Sequence, residues 1–107
     1  MKRKIAIDFD HTICDHPYPT PKKWWLDPPV KDSLEVINNL VEKSSKEVYI
    51  FTARPESEWE IIRQWLYTHG FPILRISNIK ELEIDVLIDD RAIRFENNWQ
   101  SIVKLLL

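Results

Sequence analysis

The segment IAIDFDHT, residues 5–12, decides the interpretation of the chain, because an apolar run ends there in two carboxylates that flank an aromatic residue. The apolar run is bounded by charges and is too short for a helix, so residues 4–9 are predicted to form a buried strand. Side chains alternate between the two faces of a strand, so Asp8 and Asp10 are expected to share one small space. At about 4 Å and an effective dielectric of about 20, two such charges repel by roughly 4 kcal/mol. The pair therefore needs a metal ion, a proton or a cationic neighbour.

Length and composition indicate one globular domain, residues 1–107. Hydrophobic residues make up 44% and charged residues 30%, and the net charge of -2 gives no reason to expect a polyanion as a general partner. The single glycine, Gly70, excludes Walker loops and dinucleotide fingerprints, which need several glycines close together. Cys14 is the only cysteine, which fits a reducing cytoplasm. We expect neither a signal peptide nor a membrane segment, because the apolar runs are too short for either.

Strand and helix patterns alternate along the rest of the chain. Strands are predicted at 48–51, 71–76 and 84–88, with an edge strand at 92–95, and amphipathic helices at 30–44, from Pro55 to a left-handed C-cap at Gly70, and from residue 98 onward. The second helix is expected to begin with a capping box, Ser57 to Glu60. The proline-rich segment, residues 17–29, is predicted to be a stiff loop beside the acidic pair. This order predicts an α/β fold, a three-layer Rossmann-like doubly wound parallel sheet of four to five strands without a cap domain.

Polar side chains follow three of the predicted strands. Asp8 and Asp10 follow the first strand, Thr52 follows the second, and Asp89 and Asp90 follow the fourth. In parallel α/β sheets, ligands bind beyond the carboxyl ends of the strands, where the strand order reverses. Four carboxylates and a hydroxyl would form an oxygen-rich site that suits Mg²⁺ better than Zn²⁺. A carboxylate beside Mg²⁺ can attack phosphorus, because the metal neutralises both the nucleophile and the phosphoryl oxygens.

The segments DFDHT at 8–12, FT at 51–52 and IDD at 88–90, together with Lys80, resemble the four ordered motifs of the haloacid dehalogenase-like (HAD) phosphatase superfamily. The resemblance implies a small, capless, Mg²⁺-dependent phosphomonoester hydrolase that acts through an aspartyl-phosphate. Asp8 would be the nucleophile and a metal ligand. Asp10 would be the general acid and then the general base, with its backbone carbonyl on the metal.

The same resemblance implies roles for the remaining motif residues. Thr52 would hydrogen-bond a phosphate oxygen, and Lys80 would neutralise charge on the nucleophile and the phosphoryl group. Asp90 would bind the metal directly, and Asp89 would act through water or a hydrogen bond. Relatives often have glycine where this chain has His11, so a bulkier group is expected beside the nucleophile. The implied substrate is a phosphorylated small molecule, a nucleotide or a nucleic-acid end, and no membrane is involved.

The segment that follows the acidic pair suggests two other kinds of site, a zinc site and a cysteine nucleophile. His11, Cys14 and His16 lie close enough in sequence to bind zinc, although their spacing matches no common structural zinc site. Cys14 as a phosphatase nucleophile would need an arginine at the position of Thr20. The zinc site remains an alternative to a carboxylate site, whereas the cysteine mechanism fails because that arginine is missing.

The proline-rich segment and the function as a whole each have a second interpretation. In the Lys22–Trp25 run, the tryptophans either stack a base or sugar beside two phosphate-steering lysines or anchor the loop to the body of the protein. The chain as a whole could instead be a receiver-like signalling domain or a non-catalytic module that binds metal and phosphate. A receiver, however, carries its acceptor aspartate after the third strand, where this chain has Ser77 and Asn78.

Overall fold

Four strands form one all-parallel sheet in the order β3-β2-β1-β4. The computed structural model describes residues 2–17 and 19–107. The strands are β1 (Lys4–Asp8), β2 (Glu47–Phe51), β3 (Ile76–Ser77) and β4 (Ile84–Ile88), and the helices are α1 (Ser33–Lys43), α2 (Trp59–Thr68) and α3 (Trp99–Leu106). Short 3-10 helices at Trp24–Leu26 and Glu56–Glu58 lie in the connections. The fold is therefore α/β with a parallel sheet, as the alternating pattern predicts.

The strand order reverses beside β1. The chain steps outward from β1 through α1 to β2 and through α2 to β3, and then returns to place β4 on the other side of β1. Ile7 on β1 lies opposite Ile50 on β2 and Ile88 on β4. The carboxyl ends of β1 and β4 therefore stand side by side at the reversal point, where sheets of this kind bind their ligands.

The main apolar core lies on one face of the sheet. Ile5 and Ile7 of β1 and Val48 and Ile50 of β2 are buried there, because central parallel strands are covered by their crossover helices. The helices contribute the buried residues Ile37, Ile62, Trp65 and Leu66, against which Leu34, Leu40 and Trp59 pack. The amphipathic patterns of α1 and α2 thus meet the sheet as expected.

Phe9 ties the proline-rich segment to this core. Its ring is fully buried and makes edge-to-face contacts with Trp24 and Trp65, with centroid distances of 5.4 and 5.3 Å. The Trp65 indole N–H also donates to the Asp27 carbonyl at 2.9 Å. Trp24 is therefore an anchor of the segment, whereas Trp25 remains 41% exposed.

Gly70 ends α2 in the left-handed conformation that the sequence predicts, with φ of 81°. The Gly70 N–H donates to the Tyr67 carbonyl, and the Phe71 N–H donates to the Leu66 carbonyl. This pair of hydrogen bonds is the Schellman motif, which satisfies carbonyl groups left over at a helix end.

The start of α2 differs from the prediction. The helix begins at Trp59 after the 3-10 turn Glu56–Glu58, and no side chain caps its N-terminus. The predicted capping box of Ser57 and Glu60 is therefore wrong, because Ser57 lies inside that turn and not at the helix boundary.

Two strand predictions also need correction. Of the predicted strand 71–76, only Ile76 pairs with β2, and the strand ends at Ser77, because Pro72 lacks an N–H and Ile73 is fully exposed. Residues 92–95 form no strand, since they make no ladder with β4.

Helix α3 forms as predicted, but Ile102 is its buried residue, and Trp99, Val103 and Leu106 stay largely exposed.

Candidate metal and phosphate site

Three carboxylates meet at the reversal point of the sheet. Asp8 ends β1, and Asp89 and Asp90 directly follow β4, its neighbour. One carboxylate oxygen from each lies within 4.8 Å of the others, so the three can hold a metal ion. The sequence predicts this convergence, because neighbouring parallel strands present their carboxyl ends at one edge.

Asp8 is the electrostatic centre of this cluster. Its burial, its hydrogen bond with Asp90 and the charge of Asp89 together raise its pKa to about 7. The Thr12 hydroxyl, 3.2 Å from Asp8 Oδ2, opposes this shift by donating a hydrogen bond to the carboxylate. Ionisation of Asp8 beside two other acids is unfavourable, and a divalent cation bound to the three carboxylates would offset this cost.

The carboxylates of Asp89 and Asp90 have different described hydrogen-bond partners. The Arg91 N–H donates to Asp89 Oδ1 at 2.7 Å, so a local turn already occupies one oxygen of Asp89. Asp90 instead shares a hydrogen bond with Asp8. Asp90 thus contacts Asp8, and the direct binding of metal by Asp90, with Asp89 acting through water or a hydrogen bond, stays a prediction.

A tight turn follows β1, so Asp8 and Asp10 lie in different backbone conformations. The Phe9 carbonyl accepts hydrogen bonds from the amides of Thr12, Ile13 and Cys14, and His11 adopts a positive φ of 64°. Because β1 ends at Asp8, the simple alternation of a strand does not extend to Asp10. Both acids line one cavity, but their carboxylates have different partners.

Asp10 is held by a forked ion pair with Arg54. Arg54 Nη2 lies 2.8 Å from Asp10 Oδ1, and Arg54 Nε lies 2.9 Å from Oδ2 and 3.2 Å from Oδ1. His16 Nε2 is also 3.0 Å from Oδ1, but its ring is not oriented for a hydrogen bond. The cationic neighbour that the acidic pair requires is therefore present at Asp10.

The cavity beside the acids has a volume of about 280 Å³. Its lining comprises Asp8, Asp10, His11, Thr20, Phe51, Ala53, Asp89, Asp90 and Arg91. Thr20 brings the proline-rich segment to the site, as predicted, and His11 also lines the cavity. A larger groove of about 540 Å³ lies between α2 and residues 71–74, but it contains none of these acids.

Thr52 and Lys80 are placed differently by the fold. Thr52 follows β2 and is buried, and its Oγ1 accepts a hydrogen bond from the Arg54 N–H at 3.1 Å. Thr52 is not part of the cavity lining, so its contact with a phosphate oxygen stays a prediction. Lys80 is exposed in the connection between β3 and β4 and is not part of the cavity lining, so its catalytic role stays a prediction.

The residues of the two alternative sites are spatially close but chemically unsuited. The rings of His11 and His16 lie 4.4 Å apart, yet neither residue nor Cys14 belongs to a metal-binding cluster in residues 2–17 and 19–107. Cys14 is fully buried, and its burial together with the charges of Asp27 and Asp10 raises the pKa of the thiol to about 12. A thiol of this kind is a poor ligand and a poor nucleophile, because both roles require the thiolate.

The sequence interpretation missed Arg54 altogether, and it considered His16 only as a zinc ligand and not as a neighbour of Asp10. Arg54 stands two positions after Thr52, at the same edge of the sheet as the acids, and that placement is the available signal. His16 carries no such signal, because its approach to Asp10 depends on the turn after β1.

Comparison of the chain with protein-family models, with curated proteins and with solved structures found no match. None of the helices in the described part of the chain combines the length and the hydrophobicity needed to cross a membrane.

Proposed function

We propose that this chain is a Mg²⁺-dependent phosphomonoester hydrolase of the HAD phosphatase superfamily, with a capless, Rossmann-like, doubly wound fold. The observation that carries the proposal is the meeting of Asp8, Asp89 and Asp90 within 4.8 Å at the strand reversal, with Asp10 lining the same cavity. The order of the motifs along the sequence supports the same assignment.

The donor set fits a hard divalent cation. Carboxylates of Asp8, Asp89 and Asp90, with the backbone carbonyl of Asp10, would hold Mg²⁺ through oxygen alone. The raised pKa of Asp8 supports this fit, because a cation would offset the repulsion that disfavours its ionised form. When bound, Mg²⁺ would supply neutralisation of the charge on the nucleophile and the phosphoryl oxygens.

The two acids of the first motif would divide the reaction between them. An Asp8 oxygen attacks phosphorus while the bond from phosphorus to the leaving oxygen breaks, and Asp10 donates its proton to that oxygen. Asp10 then takes a proton from water, whose oxygen attacks the aspartyl-phosphate and displaces Asp8. Phosphate leaves, Asp8 returns to its ionised form, and Asp10 carries the proton for the next cycle.

Thr52 and Lys80 complete the proposal. The Thr52 hydroxyl would donate to a phosphate oxygen, since its oxygen is already oriented by the Arg54 amide. Lys80 would neutralise the transferring group, although its exposed position requires the β3–β4 connection to bring it inward. The open cavity of about 280 Å³ accommodates a phosphate group with most of its substrate outside, such as a nucleotide, a nucleic-acid end or another phosphorylated metabolite.

A receiver-like or non-catalytic module is the competing function. It would keep the metal site and would not turn over a phosphomonoester. The third strand ends at Ser77 and is followed by Asn78, so the acceptor that a receiver carries at this point is lacking. We therefore favour hydrolysis.

A phosphate-release assay with Mg²⁺ tests the proposal. The substrates are an aryl phosphate, nucleoside monophosphates, sugar phosphates and a 3′-phosphorylated oligonucleotide, each with wild type, Asp8→Asn and Asp15→Asn. Asp15 is an exposed acid outside the cavity lining, so its variant is the matched control. We expect release by wild type and by Asp15→Asn but not by Asp8→Asn. No release from any substrate, or equal rates with Asp8→Asn, would contradict the proposal.

A further inference from the structure

The Asp10 carboxylate is held by groups that the roles above do not use. Its Oδ1 faces Arg54 Nη2 at 2.8 Å, Arg54 Nε at 3.2 Å and His16 Nε2 at 3.0 Å. Its Oδ2 is approached by Arg54 Nε alone, at 2.9 Å, among these groups. The two oxygens are therefore not equivalent, and Oδ2 keeps more room for a proton.

Arg54 is itself fixed from several directions. Its Nη1 lies 3.0 Å from Glu58 Oε1, and its guanidinium stacks 4.6 Å from the ring centre of Trp24. The Trp59 indole N–H donates to the Arg54 carbonyl at 2.9 Å. The Arg54 side chain is only 15% exposed, and it cannot leave Asp10 without breaking its contacts with Glu58 and Trp24.

His16 also contacts Oδ1 of Asp10. Its side chain is fully buried between the rings of His11 and Trp24, with centroid distances of 4.4 and 6.3 Å. Neither ring nitrogen has a hydrogen-bond partner. The buried ring thus packs against Oδ1, the oxygen that Arg54 Nη2 also contacts, and leaves Oδ2 to Arg54 Nε among these groups.

From this geometry we infer that Arg54 is a positioning residue for proton transfer: it orients Asp10 so that Oδ2 gives and takes the proton. The inference rests on the proposed hydrolase function, in which Asp10 is the general acid and base. The fork fixes the plane of the carboxylate, and a guanidinium fork matches carboxylate geometry in a way that a lysine ammonium does not.

The positive charge serves both halves of the reaction. When Asp10 gives its proton to the leaving oxygen, the carboxylate that remains is stabilised by Arg54. The same carboxylate, held in the same orientation, is then ready to take a proton from water. Loss of the Arg54 fork should therefore lower kcat/KM most for substrates whose leaving group must be protonated.

A series of aryl phosphates tests this inference, because 2,4-dinitrophenol leaves without protonation whereas phenol needs it. We expect Arg54→Gln to lower kcat/KM for phenyl phosphate by about 100-fold and for 2,4-dinitrophenyl phosphate by less than about 3-fold. Arg63→Gln is the matched control, since Arg63 is an exposed arginine of α2 paired with Glu60. In an Asp10→Asn background, Arg54→Gln should cause no further loss, because the two residues act as one unit.

The outcomes separate this inference from the function on which it rests. If wild type hydrolyses none of the aryl phosphates, the proposed function falls and the inference falls with it. If wild type is active and Arg54→Gln slows all substrates equally, or adds to Asp10→Asn, only the inference is overturned. Should Arg54→Gln not fold, Arg54→Lys keeps the charge and removes the fork. Wild-type kcat/KM of Arg54→Lys for phenyl phosphate would also overturn the inference.

Discussion

Asp8 and Asp90 share a hydrogen bond across the carboxyl ends of two neighbouring parallel strands. Burial of Asp8, this hydrogen bond and the charge of Asp89 raise the pKa of Asp8 to about 7. A bound divalent cation would therefore compete with protons for the same oxygen atoms. Both the stability of the protein and its affinity for a metal should then depend on this cluster.

The metal-free protein should lose stability as the pH rises. A carboxyl whose pKa is raised by folding binds its proton more tightly in the folded state, so its contribution is complete below about pH 4 and is lost by about pH 7. Burial lowers the pKa of His16, which acts in the opposite sense, so the comparison with Asp8→Asn isolates Asp8. We expect the Tm difference between wild type and Asp8→Asn to shift in favour of the variant between pH 5 and pH 8 in chelator. A constant difference would contradict this prediction.

Added Mg²⁺ should reverse that loss. A cation that binds the ionised cluster stabilises the folded protein more at pH 8 than at pH 5, because protons occupy Asp8 at the lower pH. Thermal unfolding with and without Mg²⁺ at both pH values measures the effect, with Asp8→Asn as the control. Equal shifts at the two pH values would argue against binding at this cluster.

Asp90 and Asp89 should contribute unequally to metal affinity. One oxygen of Asp89 already accepts the Arg91 N–H, whereas Asp90 faces Asp8. We expect Asp89→Asn to weaken Mn²⁺ binding by about 10-fold, as the loss of an outer-shell partner does, and Asp90→Asn to weaken it by more, because a direct ligand is lost. Titration calorimetry with Mn²⁺ measures both, and a larger loss for Asp89→Asn would reverse the assignment.

The sequence was sufficient for β1, β2 and β4 and for the acidic cluster, because these follow from short-range patterns. Apolar runs that stop at Asp8 and Asp89 mark two parallel strands, and parallel strands must place those acids at one edge. The partner of Asp10 was not predictable in this way. It depends on the turn around the Phe9 carbonyl and on the stacking of Arg54 over Trp24, contacts between segments that are far apart in sequence.

Errors of detail have similar causes. The capping pattern of Ser57 and Glu60 was outweighed by a 3-10 turn that begins after Pro55. The apolar run 71–76 contributes Phe71 and Leu74 to the core while only its last residue, Ile76, joins the sheet. Local propensity cannot distinguish burial under a helix from pairing in a strand.

Replacement of Gly70 should destabilise the fold without disturbing the site. A Cβ at this position meets no atom within 4 Å, so the cost arises from the left-handed backbone conformation, with φ of 81°. We expect Gly70→Ala to lower the free energy of unfolding by about 1 to 2 kcal/mol. Gly70→Asn should cost less, because asparagine tolerates this conformation better. Urea unfolding measures both, and equal stability of Gly70→Ala and wild type would contradict the strain argument.

Cys14 should be inert in the folded protein. The thiol is fully buried and its Sγ lies 3.9 Å from the Trp24 carbonyl, so reagents that require an exposed thiolate cannot reach it. We expect reaction with a disulfide reagent at pH 8 to follow the rate of unfolding and to accelerate in urea. Cys14→Ala should retain phosphatase activity, and loss of activity in a folded variant would revive the cysteine-nucleophile alternative.

The catalytic role of Lys80 rests on the order of the motifs alone, because Lys80 is exposed and its position gives no support to that role. Replacement of Lys80 therefore tests the assignment. If the β3–β4 connection brings Lys80 to the phosphoryl group, Lys80→Gln should lower kcat/KM by about 100-fold, the typical effect of removing one charge-stabilising donor. Lys43→Gln is the matched control, since Lys43 lies in the last turn of α1. Steady-state kinetics with 4-nitrophenyl phosphate compares the variants. Equal rates for Lys80→Gln and Lys43→Gln would show that another cation performs this role, and Arg91, which already lines the cavity, would then be the residue to replace.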